Sequence, residues 1–233
     1  MGKQETSISR VTRSKQEAQA TYDRLSRWYD WLEGNWEEKP KKIALQKLKV
    51  KQGERVLEIG FGTGHTMVTM AILVGDSGKV CGIDMSEGMF EVTAGRVKRA
   101  GLAARIELKR GDAEHLPYDA DTFDAIFSSF VLELFDTPQI PQVLSECRRV
   151  LKSGGRVGIV SLSKAGKPSR MRGWYEWGHV HFPNVLDCRP IFVQRALEQA
   201  GLEISDATRM SLWGLPIEIV IGEKSTHTED SER

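Results

Sequence analysis

The stretch Val56-Leu57-Glu58-Ile59-Gly60-Phe61-Gly62-Thr63-Gly64-His65 decides the fold of this chain. Its first four residues suit a buried strand, three glycines follow at alternate positions, and residues 66–74 then have the pattern of a helix. Glycine allows a tight turn and lets a ligand approach the main chain, and the first turn of a helix offers N–H groups with no partner inside the helix. The order of strand, glycine turn and helix therefore predicts a nucleotide-binding corner.

The spacing of these glycines separates two classes of ligand. Dinucleotide-binding proteins carry G-x-G-x-x-G after the strand, whereas here His65 takes the place of the last glycine. Glu58 lies inside the strand just before the turn, where its carboxylate would crowd a diphosphate but suits a cation. The pattern therefore disfavours an NAD-dependent dehydrogenase and predicts a ligand that carries positive charge.

The E-x-G-x-G-x-G run from residue 58 to residue 64 closely resembles motif I of the class I S-adenosylmethionine-dependent methyltransferases. The cofactor of that family bears a sulfonium and an ammonium group, which agrees with an acidic residue before the turn. The resemblance implies S-adenosylmethionine as cofactor, with Glu58, Gly60, Gly62 and Gly64 among the residues that bind it.

The composition excludes several other classes of protein. A length of 233 residues with 40% hydrophobic content fits one large domain, and a formal charge of +1 gives no overall field for nucleic acid. No apolar run approaches the roughly 18 residues of a membrane span, and the N-terminus lacks the apolar region of a signal peptide, so we expect a cytoplasmic protein with no transmembrane segment. The three cysteines are widely spaced without a C-x-x-C motif, which argues against disulfides and against a zinc site.

Strand and helix patterns alternate along the rest of the chain. Strands are predicted at 55–60, 79–84, 105–109, 122–127 and 156–161, helices at 66–74, 86–100, 139–151 and 189–200, and a closing hairpin at 202–222. This order predicts an α/β fold with a doubly wound, mostly parallel seven-stranded sheet, an antiparallel last strand and a closing hairpin that supplies an antiparallel edge strand. Over residues 55–222 it resembles the Rossmann-like methyltransferase fold.

Four segments are expected: a flexible arm at 1–13, an N-terminal helical cap at 14–50, a methyltransferase core at 51–223 with a lid insertion at 163–188, and a disordered tail at 224–233.

The cap contains Tyr22-Asp23 and Tyr29-Asp30. Both pairs resemble the Tyr-Asp element of the quinone-biosynthesis branch of the family, where this region closes over the cofactor. The sequence does not decide between the two copies, and aromatic packing over the sheet is the alternative.

Two further cofactor positions follow from the topology. Ligands of open parallel sheets bind at the carboxyl ends of the strands, and Asp84 ends the second strand about 20 residues past the glycine corner, where it can accept hydrogen bonds from ribose hydroxyls. An exposed turn residue is the alternative for Asp84. Ser129, at the end of the fourth strand, lies where the family lines the channel between cofactor and acceptor.

Residues 111–117 closely resemble the adenine-binding segment of the family. The resemblance implies that the Asp112 carboxylate accepts a hydrogen bond from the exocyclic amine and that the Ala113 N–H donates to the ring. It also implies that Met85 and Leu116 flank the base.

The resemblance implies an in-line transfer of the sulfonium methyl group to a nucleophile, for which positioning matters most. A general base is needed only where the acceptor loses a proton. The candidates are Glu133, Tyr22, Tyr29, His179 and His181. A solvated carboxylate at Glu133 and packing of the tyrosines are the alternatives.

The insertion at 163–188 is the predicted acceptor-binding lid. It combines basic residues with aromatic ones, which suits a flat ring or an amphipathic molecule with an anionic end. A single short patch in a near-neutral chain disfavours RNA, and two histidines are too few for a metal site. Its aromatic and histidine candidates are Trp174, Tyr175, Trp177 and His181.

These features look most like the ubiquinone/menaquinone C-methyltransferase family and its relatives. After the fourth strand that family usually has an Arg-Asn pair, whereas this chain has Leu132-Glu133. We therefore predict a methyltransferase for a small aromatic or amphipathic, quinone-like acceptor. The alternatives are a phospholipid amine N-methyltransferase, whose lid would make a peripheral contact with a membrane, and a non-catalytic cofactor-binding scaffold. The oligomeric state is left open.

Overall fold

A computed structural model describes residues 8, 10–11, 16–17, 19–24, 37–165, 173, 177 and 188–226. Residues 16–17 and 19–24 are helical. The helices that follow are α1 Glu38–Leu48, α2 His65–Val74, α3 Glu87–Arg99, α4 Ile140–Val150 and α5 Val193–Gln199, with a 3₁₀ turn at Leu132–Leu134. The strands are β1 Arg55–Ile59, β2 Lys79–Asp84, β3 Ile106–Arg110, β4 Phe123–Ser129, β5 Leu151–Leu162, β6 Glu203–Leu212 and β7 Leu215–Glu223.

The seven strands form one sheet in the order β3-β2-β1-β4-β5-β7-β6. The first five strands pair in parallel, and β7 is antiparallel to both β5 and β6. The predicted α/β fold with a mostly parallel sheet and an antiparallel last strand is confirmed. The β6–β7 hairpin supplies an antiparallel edge strand, as predicted, because β7 pairs on both sides and leaves β6 at the edge.

The order of strands reverses between β1 and β4, which is where open parallel sheets bind ligands. Apolar side chains on both faces of β1 bury it between two layers. Leu57 packs in one apolar cluster with α4 and α5, and its neighbour Val56 packs in the other with α1 and α2. Near-continuous apolar runs are typical of parallel strands that are covered on both faces.

Most element boundaries agree with the sequence pattern to within two residues. Ser86 is the N-cap of α3, as predicted, and its hydroxyl accepts a hydrogen bond of 3.1 Å from the Met89 N–H. The helix predicted from residue 189 begins only at Val193. Ile191 exchanges backbone hydrogen bonds with the end of β5 instead, and this bridge keeps residues 189–192 extended.

Two ends of the predicted segments differ from the structure. Arg10 and Val11, in the predicted flexible arm, both donate hydrogen bonds to Asp136, so this part of the arm lies against the core. Lys224, in the predicted disordered tail, exchanges backbone hydrogen bonds with Gly154 and Gly155 and extends the sheet. Within the residues described, no helix is long and apolar enough to cross a membrane.

Candidate functional site

The glycine corner joins β1 to α2 and is fixed by hydrogen bonds from two neighbouring elements. The Gly60 N–H donates to the carbonyl of Ile83 on β2 at 2.8 Å. The Gly62 N–H donates to the Asp84 carboxylate at 3.0 Å, and the Gly62 carbonyl accepts from the Thr93 hydroxyl of α3 at 2.7 Å. The corner is therefore held rigid before any ligand arrives.

The three glycines differ in what surrounds them. All have positive φ, at 69°, 50° and 80° for Gly60, Gly62 and Gly64. A Cβ atom on Gly60 would lie 2.3 Å from Val131 Cγ2, and one on Gly64 would lie 2.5 Å from Thr93 Cγ2. A Cβ atom on Gly62 would meet no atom of the described residues within 4 Å. Two of the glycines thus allow close packing inside the protein, and Gly62 leaves open space against which a ligand can lie.

Asp84 ends β2 beside this corner, as the spacing predicted. Its Oδ1 accepts from the Ser86 N–H at 2.9 Å, and its Oδ2 accepts from the Gly62 N–H. Burial raises the pKa of Asp84, and these backbone hydrogen bonds oppose the rise. The side chain is half-buried, so the alternative of an exposed turn residue does not fit.

The segment after β3 is anchored on α4. The Asp112 carboxylate accepts from the Glu114 N–H at 3.0 Å, and the Leu116 N–H donates to Glu146 at 2.8 Å. Ala113 is buried at the start of this segment. Met85 is half-buried on the neighbouring strand end, next to Asp84.

The donor and acceptor groups at this edge fit the cofactor that the resemblance implies. Glu58 is 3% exposed within β1, and Asp84 and Asp112 follow on the next two strand ends, so three carboxylates suit a cationic ligand with ribose hydroxyls. Ser129 ends β4, and its hydroxyl oxygen is buried with no hydrogen-bond partner among the residues that the structure describes. A bound polar ligand would satisfy that oxygen.

The acid-base candidates have different surroundings. Glu133 is 0% exposed, and its Oε1 accepts from the Leu162 N–H at 3.2 Å, so the alternative of a solvated carboxylate is wrong. Tyr22 is half-buried. Tyr29 and His179 lie outside the described residues, and so do the lid candidates Trp174, Tyr175 and His181; Trp177 is exposed.

The first Tyr-Asp pair lies beside the amino end of α3. Asp23 accepts a hydrogen bond of 2.6 Å from the Ser86 hydroxyl and one of 3.1 Å from the Gly88 N–H. These groups form the amino end of α3, directly after Asp84. The second pair lies outside the described residues.

Sequence reasoning missed a group of charged residues around the loop that follows β4. Asp136, after the 3₁₀ turn, accepts from the Nε of Arg10 at 2.8–2.9 Å, and Arg189 donates to the carbonyl of Phe135. Arg189 is 0% exposed, and burial lowers its pKa to about 10. No local signal could have revealed these pairs, because the partners are 126 and 54 residues apart in sequence.

Comparisons with known proteins agree with this geometry. A family described as a methyltransferase domain matches residues 56–155. A demethylmenaquinone methyltransferase from Lactobacillus johnsonii is 38% identical over 144 residues, which cover 62% of this chain and only 58% of that protein. A protein of the same description from Listeria welshimeri is 31% identical over 189 residues, which cover 81% of this chain and 74% of that protein.

Two solved structures share the fold at low identity. A SAM-dependent methyltransferase from Aquifex aeolicus has a TM-score of 0.64 at 22% identity and covers 87% of this chain and 97% of its own. The [4+2]-cyclase SpnF has a TM-score of 0.75 at 19% identity and covers 94% of this chain and 99% of its own. Because the Listeria relative aligns along most of both proteins, with the motif at residues 58–64 inside the matched domain, the chain belongs to the class I S-adenosylmethionine-dependent methyltransferases.

Proposed function

We propose that this enzyme methylates a quinone-like aromatic acceptor. The observation that carries the proposal is Glu133, a fully buried carboxylate directly after the strand end that carries Ser129. Methylation of a hydroquinone ring must release a proton, and a buried carboxylate close to the acceptor is suited to receive it. The demethylmenaquinone methyltransferases at 31–38% identity support a ring of this kind.

The cofactor-binding residues are part of the proposal. Gly60, Gly62 and Gly64 would allow the methionine part of the cofactor to lie against the main chain, with Glu58 close to its positive charges. Asp84 would accept hydrogen bonds from the ribose, because its carboxylate is already oriented by two backbone N–H groups.

The adenine side is proposed from the segment after β3. Asp112 would bind the exocyclic amine, the Ala113 N–H would donate to the ring, and Met85 would lie against the face of the base. Ser129 would use its buried hydroxyl oxygen at the boundary between cofactor and acceptor.

The transfer would be an in-line displacement. When bound, the sulfonium supplies a methyl group whose bond to sulfur breaks with its electron pair left on the sulfur, while the acceptor carbon forms the new bond. The protein would position the acceptor, exclude water and receive the proton at Glu133.

Methyl-labelled S-adenosylmethionine and a reduced 1,4-naphthoquinone with a short prenyl tail test this function, with Asp84→Ala as the blank. We expect label in the quinone product. Label only in phosphatidylethanolamine supplied in a parallel reaction would identify the phospholipid enzyme instead. Binding of S-adenosylhomocysteine without turnover of either acceptor would favour the scaffold.

Glu133→Gln tests the role of the carboxylate. We expect kcat to fall by about a hundredfold or more, because general-base catalysis is typically worth that much. The affinity for S-adenosylhomocysteine, measured by calorimetry, should stay unchanged. A variant with full kcat would show that the acceptor needs no base at this position.

A further inference from the structure

Residues 135–137 are held from one side by Arg189. Its guanidinium donates to the carbonyl of Phe135, and its Nη1 donates to the Thr137 hydroxyl at 3.3 Å. Arg189 lies where the chain returns from the 163–188 insertion to the core, two residues before Ile191 pairs with the end of β5. One side chain thus joins the end of the insertion to the loop that follows β4.

The same loop is held from the other side by the N-terminal stretch. The Asp136 carboxylate accepts hydrogen bonds from the Nε of Arg10 at 2.8–2.9 Å and from the Val11 N–H at 3.0 Å. It also forms an ion pair with the Nη2 of Arg10 at 2.6 Å. Ile8 packs against the apolar cluster that contains Leu132. The N-terminal stretch is therefore fixed by both charge and apolar contact.

The charges alternate through this group. Asp136 and then Glu133 stabilise the charged form of Arg189, while Arg10 opposes it. Two cations and two anions are thus arranged so that each buried or half-buried charge has an opposite charge nearby. We call Arg10, Glu133, Asp136 and Arg189 the Asp136 cluster.

The three segments that meet in the Asp136 cluster are the ones that bound the acceptor side of the cleft. The loop after β4 carries Glu133, the insertion is the predicted lid, and the N-terminal stretch leads into the helix whose Asp23 is bound at α3. Burial of an arginine is costly unless its charge is paired, and removal of one partner from a buried pair is more costly still. The position of the loop that carries Glu133 therefore depends on Arg189, which is hydrogen-bonded to Phe135 and Thr137.

We propose that Arg189 is a positioning residue for acceptor binding, which fixes the loop bearing Glu133 against the end of the lid and the N-terminal stretch. The effect on the acceptor rests on the proposed function, whereas the coupling of the three segments does not. A planar guanidinium donates from separate nitrogens to Phe135 and Thr137 at once, in a fixed geometry that the single ammonium group of a lysine does not reproduce.

Arg189→Lys tests the proposal, with Arg156→Lys as the matched control. Arg156 also joins distant segments, since it donates to the carbonyl of Leu48 and to Glu54 at 2.8 Å, but it lies near the amino ends of the parallel strands, opposite the ends that carry Asp84 and Ser129. Both variants should lower the melting temperature. Only Arg189→Lys should raise the KM for the prenylated naphthoquinol, by about tenfold or more, because small displacements of positioning groups are costly.

S-adenosylhomocysteine affinity should stay within about twofold in both variants, since the hydrogen bonds of Arg189 to Phe135 and Thr137 lie outside the glycine corner. Hydrogen exchange should rise in peptides covering 8–24 and 131–137 for Arg189→Lys and not for Arg156→Lys. The exposed Arg10→Gln variant, which leaves the core intact, should raise exchange in 8–24 alone.

Equal KM changes in the two lysine variants, or unchanged exchange in both segments of Arg189→Lys, would overturn the proposal. If the wild-type enzyme does not use the naphthoquinol, the proposed function fails. The exchange data would still decide whether Arg189 couples the three segments.

Discussion

Gly62 differs from the two other glycines of the corner in what surrounds it. Its neighbours Gly60 and Gly64 are required by the side chains of Val131 and Thr93, which occupy the space that a Cβ would need. Among the residues that the structure describes, Gly62 is required only by its φ of 50°, because a Cβ there would have no neighbour of this part of the chain within 4 Å. Three glycines that look equivalent in sequence therefore have two different roles.

Gly62→Ala and Gly60→Ala should separate these roles. Gly62→Ala should lower the free energy of unfolding by only about 1 kcal/mol, the cost of a positive φ, and Gly60→Ala by about 2–4 kcal/mol, because it adds overlap with Val131. Gly62→Ala should nevertheless weaken S-adenosylhomocysteine binding by at least about tenfold, or about 1.4 kcal/mol.

Urea unfolding and calorimetric titration of both variants provide the measurements. Wild-type affinity in Gly62→Ala would show that the open side of the corner does not face the cofactor.

At the scale of elements, the N-terminal stretch is tied to the core by charge. The Arg10 guanidinium is the main cause that lowers the pKa of Asp136 to about 2, from an ordinary value of 3.8. A carboxylate with a lowered pKa stabilises the folded state at any pH above its ordinary value, and that contribution is lost as the pH falls toward the lowered value. The ion pair between Arg10 and Asp136 should therefore persist throughout the physiological pH range.

The Asp136→Asn variant tests how much the charge of Asp136 contributes to the free energy of unfolding. The difference in unfolding free energy between wild type and variant should be constant above about pH 5 and should shrink between about pH 4 and pH 2. Urea unfolding at stepped pH measures it, with Asp76→Asn as a control, because Asp76 forms an ion pair with Arg105 on the exposed surface. A difference that persists unchanged at pH 2 would contradict a role for the Asp136 charge.

The elements that sequence could predict are those whose cause is local. β1, the glycine corner and the Ser86 cap each depend on residues within one or two turns of chain, and Asp84 follows from a fixed spacing. The start of α5 could not be predicted, because residues 189–192 are kept extended by a bridge to β5. Thr93 and Arg189 could not be identified either, since their partners lie 31 and 52–54 residues away in sequence.

At the scale of the whole molecule, the two apolar layers on either side of the sheet protect most of the thiols. Cys81 and Cys147 are buried, and Cys188 is half-buried near the end of the insertion. Cys147 also borders a cavity of about 10 Å³ lined by apolar side chains such as Ile59 and Leu144. Burial raises the pKa of Cys147 to about 12 and also raises that of Cys81.

A thiol reagent at pH 8 should therefore modify Cys188 first, because the other two thiols are both inaccessible and protonated. We expect one rapid equivalent in the native enzyme and three in denaturant, counted by the absorbance of the released thiolate. Cys188→Ser should abolish the rapid phase. A second rapid equivalent would show that one apolar layer opens without global unfolding.

The inner position of β7 has a consequence for how the chain is made. β7 follows the other six strands in the sequence, yet it lies between β5 and β6. During synthesis one edge of β5 stays unpaired until residue 223 has left the ribosome. Until then β6 cannot join the sheet, because β7 is its neighbour there. A nascent chain of this enzyme therefore carries an open strand edge until β7 has been made, and such an unpaired edge can pair with other chains.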